Sequence, residues 1–137
     1  MIIQATIKFE VYVELHDQTF ESKLIEIIGG KEQGELKGDI ERIDGRRIFT
    51  VTNSDVHGKM HGLNLGFQFY TATISKCFDL GATEFRSSHL LNENSTAVWK
   101  KIERLYYNCS LVKKTKKAPI KGKKVIEDNI GKFIYKK

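Results

Sequence analysis

The hydrophobic period changes once along this chain, and that change limits the fold more than any other feature. In the first third, Ile7, Phe9, Val11, Val13 and Leu15 alternate with polar neighbours, the period of a strand with one buried face. "KLIEIIGG" is a short apolar run closed by two glycines, and "GELKGDIERIDGRRIFTVTN" carries Asp44-Gly45, a tight-turn pair, between two strand-like arms. The second arm, residues 48–52, is rich in β-branched and aromatic residues. Past residue 65 the period becomes helical. Phe67, Tyr70, Ile74, Cys77 and Phe78 fall on one face of a helix, and Gly81 is placed to stop it.

"TEFRSS" then predicts a short strand. Asn92 and Asn94 are candidate N-caps of a second helix, with Val98, Ile102, Leu105 and Tyr106 as its buried stripe. "YYNCSLV" and "GKFIYKK" predict the last strands. This order predicts an α+β (mixed α/β) fold: a twisted, mainly antiparallel sheet with packed helices and one parallel crossover where a helix joins two strands. The length predicts a single domain over residues 1–137.

Composition narrows the function classes. No apolar run approaches the roughly 20 residues of a membrane span, and "MIIQATIKFE" lacks the basic, then apolar, pattern of a signal peptide. Cys77 and Cys109 have no metal-ligand spacing, which fits a reducing compartment, and we expect no metal and a cytoplasmic protein. Charge is uneven. Residues 100–137 hold 13 Lys/Arg against 3 Asp/Glu, whereas residues 1–99 hold 10 against 14. The lysine-rich run "KKTKKAPIKGKK", residues 113–124, is read as a solvated loop between two strands, and the chain is not read as a nucleic-acid binder.

The segment "HGLNLGFQFY", residues 61–70, joins the strand half to the first helix. Glycines allow close backbone approach, and a helix start offers unpaired N–H groups to an anion. The N–H groups of residues 62–66 are therefore expected to line a nest for a phosphate-bearing ligand at a helix starting near Leu65.

In its wider context, "HGLNLGFQFYTATISKCFDLGATEFRSSHLLNENSTAVWKKI" resembles the GNAT acyltransferase superfamily over roughly residues 48–105. In that family a loop of the form Arg/Gln-x-x-Gly-x-Gly/Ala holds the coenzyme A pyrophosphate. Here His61 takes the Arg/Gln position, Asn64 the first glycine and Gly66 the second, while Asn92, Ser95 and Trp99 match the later Asn-x-x-Ala/Ser-x-x-x-Tyr motif. The resemblance implies an N-acyltransferase, with acetyl-CoA or another acyl-CoA as cosubstrate and an amine on a small molecule or protein as acceptor. It implies that His61, Gly62, Leu63, Asn64, Leu65, Gly66, Asn92 and Ser95 bind the coenzyme. Asp55 and His57 are the candidate bases for the amine proton, with Glu41 a third choice; a turn aspartate and a loop histidine are the structural alternatives.

Two residues depart from the family pattern in ways that bear on catalysis. Asn64 replaces a glycine, which asparagine's tolerance of left-handed backbone can accommodate. Trp99 replaces the tyrosine that serves as general acid, and an indole only donates a hydrogen bond. We expect Trp99 to be a packing residue. There is also little room for the helices that the family places between its first two strands. The second reading is therefore a non-catalytic GNAT-fold structural or interaction protein, in a homodimer or with an assembly partner, and in the virion if it is virus-encoded.

Overall fold

The computed structural model describes residues 9–56, 65–88, 93–106, 109–113 and 131–137, without the side chains of residues 93–94, 110–113 and 131–132. Seven strands form one sheet: β1 (Phe9–Leu15), β2 (Thr19–Glu26), β3 (Glu32–Ile43), β4 (Arg46–Val56), β5 (Glu84–Arg86), β6 (Cys109–Lys113) and β7 (Gly131–Lys136). Their order is β1-β2-β3-β4-β5-β7-β6. All neighbours are antiparallel except β4 and β5, which α1 (Leu65–Asp79) joins as a parallel crossover. The second helix, α2 (Glu93–Leu105), links β5 to β6.

The turn chemistry explains the hairpins. Asp44 and Gly45 both take positive φ, 50° and 77°, between the paired residues Ile43 and Arg46. That is the two-residue turn whose twist matches the strands it joins. β1 and β2 are joined directly by residues 16–18, closed by the His16 N–H donating to the Thr19 carbonyl at 2.8 Å, so no helix intervenes. α1 stops in a Schellman arrangement. The Ala82 N–H reaches the Cys77 carbonyl at 2.9 Å, the Gly81 N–H reaches Phe78 at 3.1 Å, and Gly81 sits at φ 106°.

Both helices pack on one face of the sheet. A row of aromatic rings crosses that face: Phe49 against Phe20 (centroids 5.2 Å), Phe20 against Phe85 (5.7 Å), Phe85 against Trp99 (6.0 Å) and Trp99 against Phe133 (5.8 Å). Gly38 of β3 makes room for this row. A Cβ there would lie 2.0 Å from the Thr50 carbonyl oxygen and 2.5 Å from the Phe20 ring. The ladder shifts register at the same place, pairing Gly38 with Val51 but Lys37 with Asn53, so Thr52 bulges. Ser22 of β2 and Thr73 of α1 share a buried hydrogen bond of 2.8 Å across the same interface.

The two helical stripes differ from the sequence expectation. On α1 the buried residues are Leu65, Phe69, Tyr70, Thr73, Ile74, Cys77 and Phe78, and Phe67 is only half-buried beneath the Lys101 ammonium. On α2 the inward residues are Ser95, Trp99 and Ile102, whereas Leu105 and Tyr106 are exposed. Tyr106, just past the end of α2, lays its ring at the edge of the sheet against Tyr135 of β7, centroids 5.9 Å apart, and stays partly exposed there. Asn94 lies inside α2 and does not cap it, and Asn92 is outside the described residues.

The opposite face of β1–β4 is polar, and nothing among the described residues covers it. It presents Glu10, Glu14, Glu21, Glu32, Glu35, Asp39, Glu41 and Asp55, against Lys23, Lys37 and Arg46. Its ion pairs include Lys37 with Glu35 at 2.8 Å, and His16 lies 3.7 Å from Glu21. No helix among the described residues is long and apolar enough to cross a membrane.

Candidate functional site

β4 and β5 pair only from Ile48–Glu84 to Thr50–Arg86 and then separate. β4 continues to Val56, bent by the bulge at Thr52. β5 turns to β7 instead. The Ser87 N–H donates to the Phe133 carbonyl at 2.9 Å, and the Phe133 N–H to Ser87 Oγ at 2.8 Å. The backbone of β4 beyond Thr50 is thus left without a β5 partner, and Tyr70 from the second turn of α1 reaches it at Ser54.

A hydroxyl cluster sits at this parting, and sequence reading did not find it. Ser54, near the C-terminal end of β4, lies 3.3 Å from Ser95 in the first turn of α2, oxygen to oxygen. The Tyr70 phenol from the second turn of α1 hydrogen-bonds both. Burial raises the Tyr70 pKa above its ordinary value, and the two serines pull it the other way. Tyr70 in turn meets Trp99 edge-on at 5.7 Å. No sequence signal links hydroxyls on three separate elements; only the packing of α1 against α2 does.

The expected site residues divide into three groups. Leu65 and Gly66 open α1 as anticipated, and the helix carries no acidic residue in its first turn to compete for its N–H groups. Gly66 also has a packing reason to be glycine, since a Cβ there would come within 3.3 Å of Val98 on α2. Ser95 is 8% exposed and turned inward to Ser54. Asp55 is exposed on the polar face, directly across from Glu35, so it and the Ser54 cluster flank β4 from opposite sides. Glu41 is exposed on that polar face too, farther from the parting. His57, His61, Gly62, Leu63, Asn64 and Asn92 lie outside the described residues.

Three further features frame the site. Lys101 of α2 holds its ammonium 4.3 Å above the Phe67 ring in the first turn of α1, placing a cation beside that helix start. Trp99 is fully buried, and its indole Nε1 has no hydrogen-bond partner among the described residues. At the other end of the β4–β5 pairing, Glu84 is clasped by Arg86 at 2.7 Å and Arg46 at 3.2 Å. Burial would raise the Glu84 pKa, but the Arg86 hydrogen bond and the neighbouring cations bring it below the usual carboxylate value.

A solved acetyltransferase of the GNAT family from Staphylococcus aureus Mu50 superposes with a TM-score of 0.54 at 12% identity, covering 86% of this chain and 67% of that one. The chain has the GNAT fold. The structure of AAC(6')-Iy in complex with the bisubstrate analogue CoA-S-monomethyl-acetylneamine aligns with a TM-score of 0.47 at 15% identity, covering 80% of this chain and 72% of that one. No protein-family model and no curated protein sequence matches the chain. The mainly antiparallel sheet with one parallel pair, expected from the change of period, is the GNAT sheet, here with β1 and β2 joined as a direct hairpin.

Proposed function

We propose that the chain is an acyl-CoA-dependent N-acyltransferase with acetyl-CoA as its donor. The observation that carries this reading is the departure of β5 from β4 beyond Thr50, with Tyr70 from the second turn of α1 reaching Ser54 there. Helix N–H groups free of acidic competition suit a pyrophosphate, and the side of β4 that β5 leaves suits the amides of an extended pantetheine arm. The residues present fit the coenzyme: Leu65 and Gly66 at the helix start, and the Lys101 ammonium beside them. We extend the proposal to His61, Gly62, Leu63, Asn64 and Asn92 as further coenzyme contacts.

The coenzyme supplies an acyl thioester. Transfer forms a C–N bond from the neutral amine to the acyl carbon and breaks the C–S bond. The amine gives up a proton to a base, and the departing thiolate takes one up. Asp55 and His57 are the proposed bases, Asp55 from the open side of β4. Ser54, the partly exposed member of the hydroxyl cluster, is the nearest donor on the helix side. Trp99 supplies no proton. The test is calorimetric titration with coenzyme A together with a thiol-release assay using acetyl-CoA and a panel of amines. Binding plus amine-dependent release supports the reading, and absence of both refutes it.

The second reading, a GNAT fold without catalysis, is favoured by Trp99. Its ring is locked between Phe85 and Phe133 where the family places a phenol, and no helices stand between β1 and β2 to shape an acceptor site. Coenzyme binding without thiol release for any amine would select it.

A further inference from the structure

The polar face of β1–β4 is a broad surface that nothing among the described residues covers; carboxylates outnumber cations on it, and several of them stand in like-charged pairs. Glu14 lies directly across from Glu21, and Glu35 across from Asp55. Directly opposed like charges destabilise a sheet unless something neutralises them. Lys37 pairs with Glu35, and His16 lies near Glu21, but Glu14, Asp39, Glu41 and Asp55 are exposed. The complementary charge is present in the same chain, because residues 113–124 contain seven lysines and no acidic residue.

We infer that this acidic face is the docking site for the lysine-rich segment 113–124 of a second copy of the chain. The sheet order favours a second copy over the same one. The segment leaves β6 at Lys113 and the chain re-enters the sheet at Gly131 of β7, the partner of Lys113. β6 is the edge strand farthest from β1. At about 4.8 Å per strand, β3 is roughly 19 Å from β6 and β1 roughly 29 Å. Half of residues 114–130, fully extended, spans at most roughly 30 Å. Reaching the Glu14–Glu21 pair within one molecule would therefore hold the segment taut both out and back, at a high entropic cost. A second copy delivers the same lysines without that strain.

The contact joins two different surfaces. Exchanged reciprocally between two copies it closes as a twofold dimer, and passed from copy to copy it continues into a ring or an open chain. It is also an encounter between exposed charges, which salt screens.

The test is sedimentation velocity of the full chain at 10 and 100 μM, in 50 and 500 mM sodium chloride. Expected at 50 mM salt is a mass above the 15.7 kDa monomer that grows with concentration, and at 500 mM a return to monomer. Reversing the face with Glu14→Lys and Glu41→Lys, or the segment with Lys116→Glu and Lys117→Glu, should each give a monomer at 50 mM salt. An equimolar mixture of the two variants should reassociate, because each then offers the other opposite charges. A wild-type monomer at 100 μM in low salt overturns the inference. So does association unchanged by salt or by either reversal, and so does a mixture that stays monomeric. Segment-reversed protein, altered only between β6 and β7, decides the question should the face variant fail to fold.

Discussion

Ser54 and Ser95 hold their side-chain oxygens 3.3 Å apart, one near the C-terminal end of β4 and the other in the first turn of α2, with the Tyr70 phenol bonded to both. These three hydroxyls tie the length of β4 that β5 leaves to both helices. Removing the phenol leaves the serines to satisfy each other, so Tyr70→Phe should cost about 1 kcal/mol. Ser95→Val should cost more, because it adds bulk to a residue 8% exposed and leaves Ser54 and Tyr70 with only each other. Urea denaturation of the two variants checks the order.

Coenzyme A should stabilise the fold by about 2.7 kcal/mol at a hundred times its dissociation constant. Lys101→Ala should weaken coenzyme binding, and in the unliganded protein it removes a cation–aromatic contact worth at least about 0.5–1 kcal/mol. Gly66→Asp should abolish the coenzyme effect. Gly66→Ala is the necessary comparison, because its Cβ meets Val98 at 3.3 Å without adding charge. Melting temperatures with and without millimolar coenzyme A separate the two losses.

Burial pushes both the Cys77 and Cys109 thiols up to about 12. An unfolded thiol ionises near 8.5. With the folded pKa raised, the thiols' contribution is fully present below about pH 8.5 and is lost as the pH rises from there toward 12. Stability should therefore fall between pH 8.5 and 10.5, by at most about 1.4 kcal/mol per pH unit for the fully buried Cys77 thiol. Denaturation curves of wild type and Cys77→Ala at pH 8, 9 and 10 test this, and the variant's slope should be shallower. Native protein should also react slowly with a thiol reagent at pH 8.

The elements legible in the sequence were those whose cause is local. Asp44-Gly45 sets its turn by its own backbone preference, Gly81 stops α1 by accepting φ 106°, and the change of period separates strands from helices. Gly38 went unread because its cause lies across the sheet, in the Phe20 ring and the Thr50 carbonyl. The α2 stripe was misplaced by one turn toward Leu105 and Tyr106. Periodicity assigns a face but not how deeply each position on it is buried: Ile102 and the packing residue Trp99 are buried as expected, whereas Leu105 and Tyr106 are exposed. The candidate site was legible as a helix start and not as the Ser54–Tyr70–Ser95 cluster, whose members share no sequence spacing.

Trp99 is the residue on which the two functional readings divide. It is fully buried, stacks on Phe85 and Phe133, meets Tyr70 edge-on, and leaves its indole N–H without a partner among the described residues. Trp99→Ala should cost about 3–5 kcal/mol through the cavity it opens. Trp99→Phe should cost less, because it keeps a ring between Phe85 and Phe133 and removes an unpaired buried donor. Trp99→Tyr restores a phenol at the position of the family's acid. In an active enzyme that draws its proton elsewhere, this change should leave thiol release within a few-fold of wild type. In a non-catalytic chain, native release should sit at background, and any rise in the tyrosine variant would mark the lost acid as the cause. Native turnover that collapses in a folded Trp99→Phe variant would overturn the packing assignment, because the phenyl ring preserves the stack and only the indole N–H and the second ring are gone.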